Sequence, residues 1–216
     1  EEDGHYSSPA KYLKAAENCG LSPLVDSWVI KKILIWAEEN RSVIEDIEYI
    51  SINLSGLSLC DQSFESFISN SLKKSSISPS KICFEITETA TVSNLLSAKS
   101  FINKIKDFGC KFALDDFGSG MSSFAYLKNL DIDILKIDRL FIEDILKNNR
   151  NIAIVRSINE LAHIMGLKTV AEYVKSEAIL KSLIELKVDA FQGFEIAEPA
   201  PLEELTELIS PRKIAS

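Results

Sequence analysis

The 216-residue chain has no uninterrupted apolar run of about 18 residues, the length that reads as a membrane-crossing helix. No secretory signal pattern opens it, and its first residue is not methionine, which reads as a fragment of a longer protein. Positive charge is the scarcer sign: 24 Lys and Arg stand against 32 Asp and Glu, a formal net charge of −8. This argues against a nucleic-acid polymer or a membrane surface as partner, since both call for basic patches. An anionic small ligand stays open, because bound cations invert the local field. The cysteines Cys19, Cys60, Cys83 and Cys110 form no C-x-x-C pair and have no histidine pattern beside them. They read as free thiols in a reducing cytoplasm. No low-complexity linker divides the chain, and 46% hydrophobic with 26% charged residues suits one domain with a real core.

What is present alternates. Residues 9–18, with Ser8 as cap and Pro9 at the first helical position, and residues 23–36 read as amphipathic helices. Strand-like runs follow at 49–54, 82–87, 111–116, 132–137, 168–172 and 189–194. Helices are expected over 63–72, 93–108 (stopping at Gly109), 152–165 (closed by Gly166), 176–186 (capped by Ser176) and 202–209. Repeated strand–helix units at this spacing mark parallel α/β architecture. An eight-stranded barrel needs about 250 residues, and the strands read here number six, none of them before the first helix. The fold expected is α/β, a modified TIM-type (β/α) barrel lacking its N-terminal strands in this chain. A doubly wound open sheet is the runner-up.

The polar residues fall at strand ends: Asn53, Glu85, Asp115 with Asp116, Lys136, Glu172 and Gln192. In a parallel barrel the C-terminal strand ends share one rim, where active sites form. Two adjacent carboxylates ending an apolar run are costly unless they hold a cation. Four carboxylates and the carboxamide of Asn53, with no His or Cys among them, suit Mg²⁺ or Mn²⁺ rather than zinc. A bridging carboxylate with acids on both sides can hold two ions about 3.5–4 Å apart, the arrangement that clamps a phosphoryl displacement. Lys136 belongs to the same rim, where it can hold a phosphate oxygen, and desolvation would lower its pKa. Each residue alone has a plainer reading. Glu85 reads as an edge-strand charge, Lys136 as a partner of Asp138, Asn53 as a turn former, and Gly118-Ser119-Gly120 as a flexible turn. Their joint placement at successive strand ends outweighs these.

The stretches Ile52-Asn53-Leu54-Ser55, Phe84-Glu85-Ile86-Thr87-Glu88, Leu114-Asp115-Asp116-Phe117-Gly118-Ser119-Gly120, Leu135-Lys136-Ile137-Asp138, Val170-Ala171-Glu172 and Gln192-Gly193-Phe194 resemble, in order and spacing, the EAL domain of bacterial cyclic di-GMP signalling. The resemblance runs from about Ser8 to the C-terminus, so residues 1–216 are taken as one EAL-type domain. It implies a barrel with one antiparallel strand and a cyclic di-GMP phosphodiesterase that forms linear pGpG by a two-metal mechanism with Mg²⁺ or Mn²⁺. By similarity Asn53, Glu85 and Asp115 hold one ion, with Asp115 shared, and Asp116 and Glu172 serve the second. Lys136 would position or help deprotonate the attacking water, with Glu172 also a candidate base. Gln192 and Asp138 would contact substrate. Glu88 would brace the Asp116–Ser122 loop, which links the site to a dimer interface. The family further implies a homodimer in the bacterial cytoplasm, fused to sensory or cyclase domains.

There are also departures. The Glu-Ala-Leu segment and its following arginine have no counterpart and are expected N-terminal of Glu1. Lys175 stands where the family usually has glutamate, a charge reversal expected to weaken the loop near the second metal. Tyr173 replaces a common glycine, Glu198 precedes Pro199 where a basic residue is usual, and Ser119 replaces threonine. The alternatives are a catalytically degenerate EAL domain acting as a cyclic di-GMP receptor or regulatory, dimerising module, and an unrelated two-metal barrel enzyme acting on another phosphate ester.

Overall fold

The structure, a computed structural model, describes residues 9–118 and 124–206. Six strands, β1 (Ile50–Leu54), β2 (Ile82–Thr87), β3 (Lys111–Phe117), β4 (Ile134–Ile137), β5 (Lys168–Ala171) and β6 (Ala190–Phe191), lie side by side in sequence order. Each pairs parallel with the next. A doubly wound sheet reverses its strand order at a switch point. This one never reverses, so the open-sheet alternative is excluded and the strands form a half-barrel. The antiparallel strand that the resemblance implies is not among the described strands.

The helices are α1 (Ala10–Asn18), α2 (Ser22–Glu39), α3 (Arg41–Asp46), α4 (Gln62–Lys74), α5 (Glu88–Ser93), α6 (Leu95–Lys106), α7 (Arg139–Ile142), α8 (Asn149–Ile164) and α9 (Glu177–Glu185). None of the described helices is long and apolar enough to cross a membrane. Strand side chains alternate between faces, and the sequence exploits this. Ile52, Leu54, Phe84, Ile86, Phe112, Leu114, Leu135 and Ile137 point to the helical layer and are buried. There Phe101 of α6 stacks on Phe64 of α4 with centroids 6.2 Å apart and meets Phe112 edge-on at 6.2 Å. On the other face Cys83, Ala113, Ile134 and Val170 form a second apolar cluster, with Tyr49 and Ala190 against it. Burial pushes the Cys83 thiol up to about 12, so it stays a neutral packing group. Two residues further along each strand, on that same face, come Glu85, Asp115, Lys136, Glu172 and Gln192. The apolar cluster is the floor beneath the polar layer.

At the N-terminal strand ends a polar network ties β5 to β6. One oxygen of Asp189 accepts from the Thr169 amide at 2.7 Å and the Thr169 hydroxyl at 2.9 Å, and pairs with His163 Nε2 at 2.8 Å. These contacts outweigh the opposing effect of burial and hold the Asp189 carboxyl below its ordinary pKa. Asn159 donates to the carbonyls of Leu186 and Lys187, both at 3.1 Å, securing the turn into β6.

Several boundaries differ from expectation. Pro9 is the N-cap of α1 rather than its first residue, and Ser8 lies outside the described residues. The helix expected over 93–108 is α6, which starts at Leu95 and is separated at Asn94 (φ −140°, ψ 53°) from the unexpected short helix α5. β6 is limited to Ala190–Phe191, because its expected C-terminal half leaves the sheet at Gly193. The last expected helix opens with a 3₁₀ turn at Leu202–Glu204 and is α-helical at Leu205 and Thr206, where the described set ends. The Ser176 cap is in place, accepting from the Ile179 amide at 3.4 Å.

Candidate active site

Lys136 is the hub of the rim. Its side chain is 4% exposed, and its Nζ lies 2.7 Å from Glu85, 2.9 Å from Asp115 and 2.8 Å from Glu172. Three adjoining strands and the end of β5 thus converge on one ammonium. The expectation that desolvation lowers its pKa is overturned. Burial does act downward, but the three carboxylates outweigh it and raise the pKa, so Lys136 stays protonated. Nor does Lys136 pair with Asp138, which instead accepts from the Leu140 amide at 2.7 Å and caps α7.

Adjacent residues of a regular strand face opposite ways, yet Asp115 and Asp116 serve one site. The backbone explains this. Asp116 has φ +55°, and the β3–β4 register shifts between Leu114 and Phe117. Such a bulge re-aims a side chain at a strand end, and aspartate tolerates the left-handed region better than most residues. One oxygen each from Asp115, Asp116 and Glu172 lie within 4.8 Å of one another. Burial, helped by Asp115 and by Asp138, which is also hydrogen-bonded to Asp116, pushes the Asp116 carboxyl above its ordinary pKa. Glu172 is raised by burial as well, with Lys136 opposing and Asp115 and Asp116 adding to the rise. Glu85, Asp115 and Glu172 share one buried lysine, and Asp116 and Asp138 add their carboxylates beside them. The site is over-supplied with negative charge.

The donor chemistry fits hard divalent cations: clustered carboxylate oxygens with a carboxamide nearby and no soft ligand. Asn53 is exposed and in register with Glu85 on the neighbouring strand. Gln192 is exposed, and its backbone bridges the β5 end, donating to the Ala171 carbonyl at 2.8 Å and accepting from the Val174 amide at 3.0 Å. Gly193 follows with φ +155°, pressed so close to the Val174 backbone that a Cβ would collide with its N and O.

Glu88, 1% exposed, accepts from the Gly118 amide at 3.0 Å and from the Tyr126 hydroxyl. It therefore holds the chain on both sides of residues 119–123, which lie outside the described set, Ser119 and Gly120 among them. Sequence reasoning did not pick out Tyr126, nor Arg139 and Glu143 beside Tyr173 and Lys175. The positive φ of Tyr173 is not signalled by the residue itself, which is neither Gly nor Asn, but only by the glycine that the family usually has at that position.

Fold and site together define a β/α-barrel protein with an acidic, lysine-centred rim at the C-terminal ends of its strands. The chain belongs to the EAL domain family, whose model matches residues 1–199. It is 36% identical over 212 residues to a protein named cyclic di-GMP phosphodiesterase PdeB of Shewanella oneidensis, covering 98% of this chain and 25% of that protein. It is 42% identical over 180 residues to cyclic di-GMP phosphodiesterase PdeA of Borreliella burgdorferi, covering 82% and 26%. The chain thus spans about a quarter of the length of these relatives. Among solved structures, the PaMucR phosphodiesterase in complex with c-di-GMP superimposes with a TM-score of 0.88 at 30% identity, over 95% of this chain and 83% of that one.

Proposed function

We propose that this chain is the catalytic portion of a cyclic di-GMP phosphodiesterase that hydrolyses cyclic di-GMP to linear pGpG with two Mg²⁺ or Mn²⁺ ions. The observation that carries the reading is the convergence of Asp115, Asp116 and Glu172 within 4.8 Å beside the buried Lys136. Asn53, Glu85 and Asp115 would hold one ion, and Asp115, Asp116 and Glu172 the other. The ions would supply positive charge against the charge that develops on the phosphodiester oxygens. Lys136, protonated and so without a lone pair to take a proton, would help position the attacking water by holding Glu85, Asp115 and Glu172 in place rather than deprotonate it, which leaves Glu172 to accept the proton. Gln192 faces substrate. Asp138 offers it the lone pairs not used by Asp116 and the α7 amide. Glu88 fixes the loop leading from Asp116, which in a homodimer would reach the interface. In this reading the Glu-Ala-Leu segment precedes Glu1 in a bacterial cytoplasmic protein with sensory or cyclase domains.

The test measures pGpG formation with Mg²⁺ or Mn²⁺ by the protein carrying the residues that precede Glu1. Turnover that falls about a hundredfold or more in Asp115→Ala supports the reading. No pGpG from the unaltered protein sinks it. The second reading, a receptor that binds without cutting, is motivated by Lys175 at a position where the family usually has glutamate. Calorimetric binding of cyclic di-GMP without turnover would select it.

A further inference from the structure

Glu172 directly follows β5, and the chain turns sharply at the next residue. Tyr173 sits at φ +60°, a conformation that glycine adopts freely and a side-chain-bearing residue resists. The backbone on either side is pinned: the Glu172 amide donates to the Ile137 carbonyl at 3.3 Å, and Val174 exchanges bonds with Gln192 and Glu195, both at 3.0 Å. The turn itself is held by side chains. Lys175 Nζ lies 3.7 Å from the Tyr173 ring centroid and 3.5 Å from Glu143 Oε1, while the Arg139 guanidinium lies 5.9 Å from the same ring. Arg139 opens α7 and Glu143 closes it, and the N-cap of that helix is Asp138, the neighbour of Asp116. One short helix therefore supports both sides of the acidic cluster. Tyr173 and Lys175 are also two of the positions at which this chain departs from the usual family residues, and here they touch.

We propose that Tyr173 and Lys175 act as one unit, a cation–π clamp that seats the Glu172 turn against α7. Lys175 is then a positioning residue for Glu172, and the paired replacement is a substitute for the usual glycine and glutamate. A cation over an aromatic face is attractive, and it offsets the resistance of tyrosine to the left-handed turn. Lys175 keeps its charge on the ring and Glu143 rather than among the site carboxylates, so it does not act as a stray cation in the acidic cluster. The inference rests on the reading of Glu172 as a metal ligand.

A double-mutant cycle separates this from simple electrostatics. Mn²⁺ binding is measured by calorimetry, and melting temperature in parallel, on the protein carrying its preceding residues. The variants are Lys175→Glu, Lys175→Arg, Tyr173→Gly and the double Tyr173→Gly/Lys175→Glu. The clamp requires Lys175→Glu to weaken Mn²⁺ binding at least fivefold when Tyr173 is present and less than twofold in the Tyr173→Gly background. Lys175→Arg, which keeps a cation over the ring, should stay within twofold of the unaltered protein. Equal losses in both backgrounds would mean that the charge acts through space, which overturns the clamp. So would a fall in melting temperature with Mn²⁺ affinity unchanged, the mark of a merely structural contact. No Mn²⁺ binding by the unaltered protein overturns the metal reading first, and the positioning role with it.

Discussion

Replacing Lys136 by methionine preserves most of the side chain's length and removes only the charge, which isolates what the ammonium does. In the folded protein Nζ contacts Glu85, Asp115 and Glu172 at 2.7, 2.9 and 2.8 Å, and the side chain is 4% exposed. Removing one partner from a buried ionic cluster typically costs about 3–5 kcal/mol, because the opposing charges are left uncompensated. Domains are stable by only about 5–15 kcal/mol, so the loss takes a large share of the total. At about 2–4 °C per kcal/mol for a domain of this size, Lys136→Met should lower the metal-free melting temperature at pH 7 by about 6–20 °C. Circular dichroism melts in chelator-treated buffer measure it directly. The sign of the pH dependence is fixed as well. Burial already raises the Glu172 carboxyl against the opposition of Lys136, and without the ammonium it holds its proton more tightly still, so the variant's deficit is full at neutral pH and narrows as pH falls toward about 4. A melting temperature within about 2 °C of the unaltered protein at pH 7 would refute the view that Lys136 holds the rim together.

Other outcomes follow from separate parts of the fold. Gly193→Ala places a Cβ against the Val174 N and O; it should cost about 2–3 kcal/mol in urea unfolding, and an unchanged midpoint would show that the two loops are free to separate. Asp189→Asn weakens the bonds from Thr169 and His163, which solvent screening limits to about 1–2 kcal/mol at pH 7. Because the Asp189 pKa is depressed on folding, that advantage is present above the ordinary carboxylate range and lost as pH falls below about 4. A difference between the two proteins that grows in acid would contradict this.

Much of the site was legible because its residues interrupt strongly apolar runs. Glu85, Lys136 and Glu172 each stand where a buried strand should hold another aliphatic, and the period of two puts them on one face with Cys83, Ile134 and Val170. What was not legible depends on tertiary contact. The direction of the Lys136 pKa was misjudged because burial can be read from neighbouring residues, whereas the three carboxylates come from other segments of the chain. The break at Asn94 and the short helix α7 follow from local backbone angles and from the Asp138 cap, which carry weak sequence signals. The contact of Lys175 with Tyr173 was not legible either, because it depends on a positive φ that a tyrosine does not advertise.

The excess of carboxylates over the single ammonium has an evolutionary consequence. On the proposed reading, replacing Asp116 by asparagine, which also tolerates the left-handed turn, would remove a metal ligand while relieving repulsion from Asp115 and Asp138, so loss of cutting would carry little folding defect to select against it. Lys136 has no such freedom, since its removal strands three buried acids. Lineages that drift from hydrolysis to mere recognition should therefore shed Asp116 early and keep Lys136 long after its chemistry is gone.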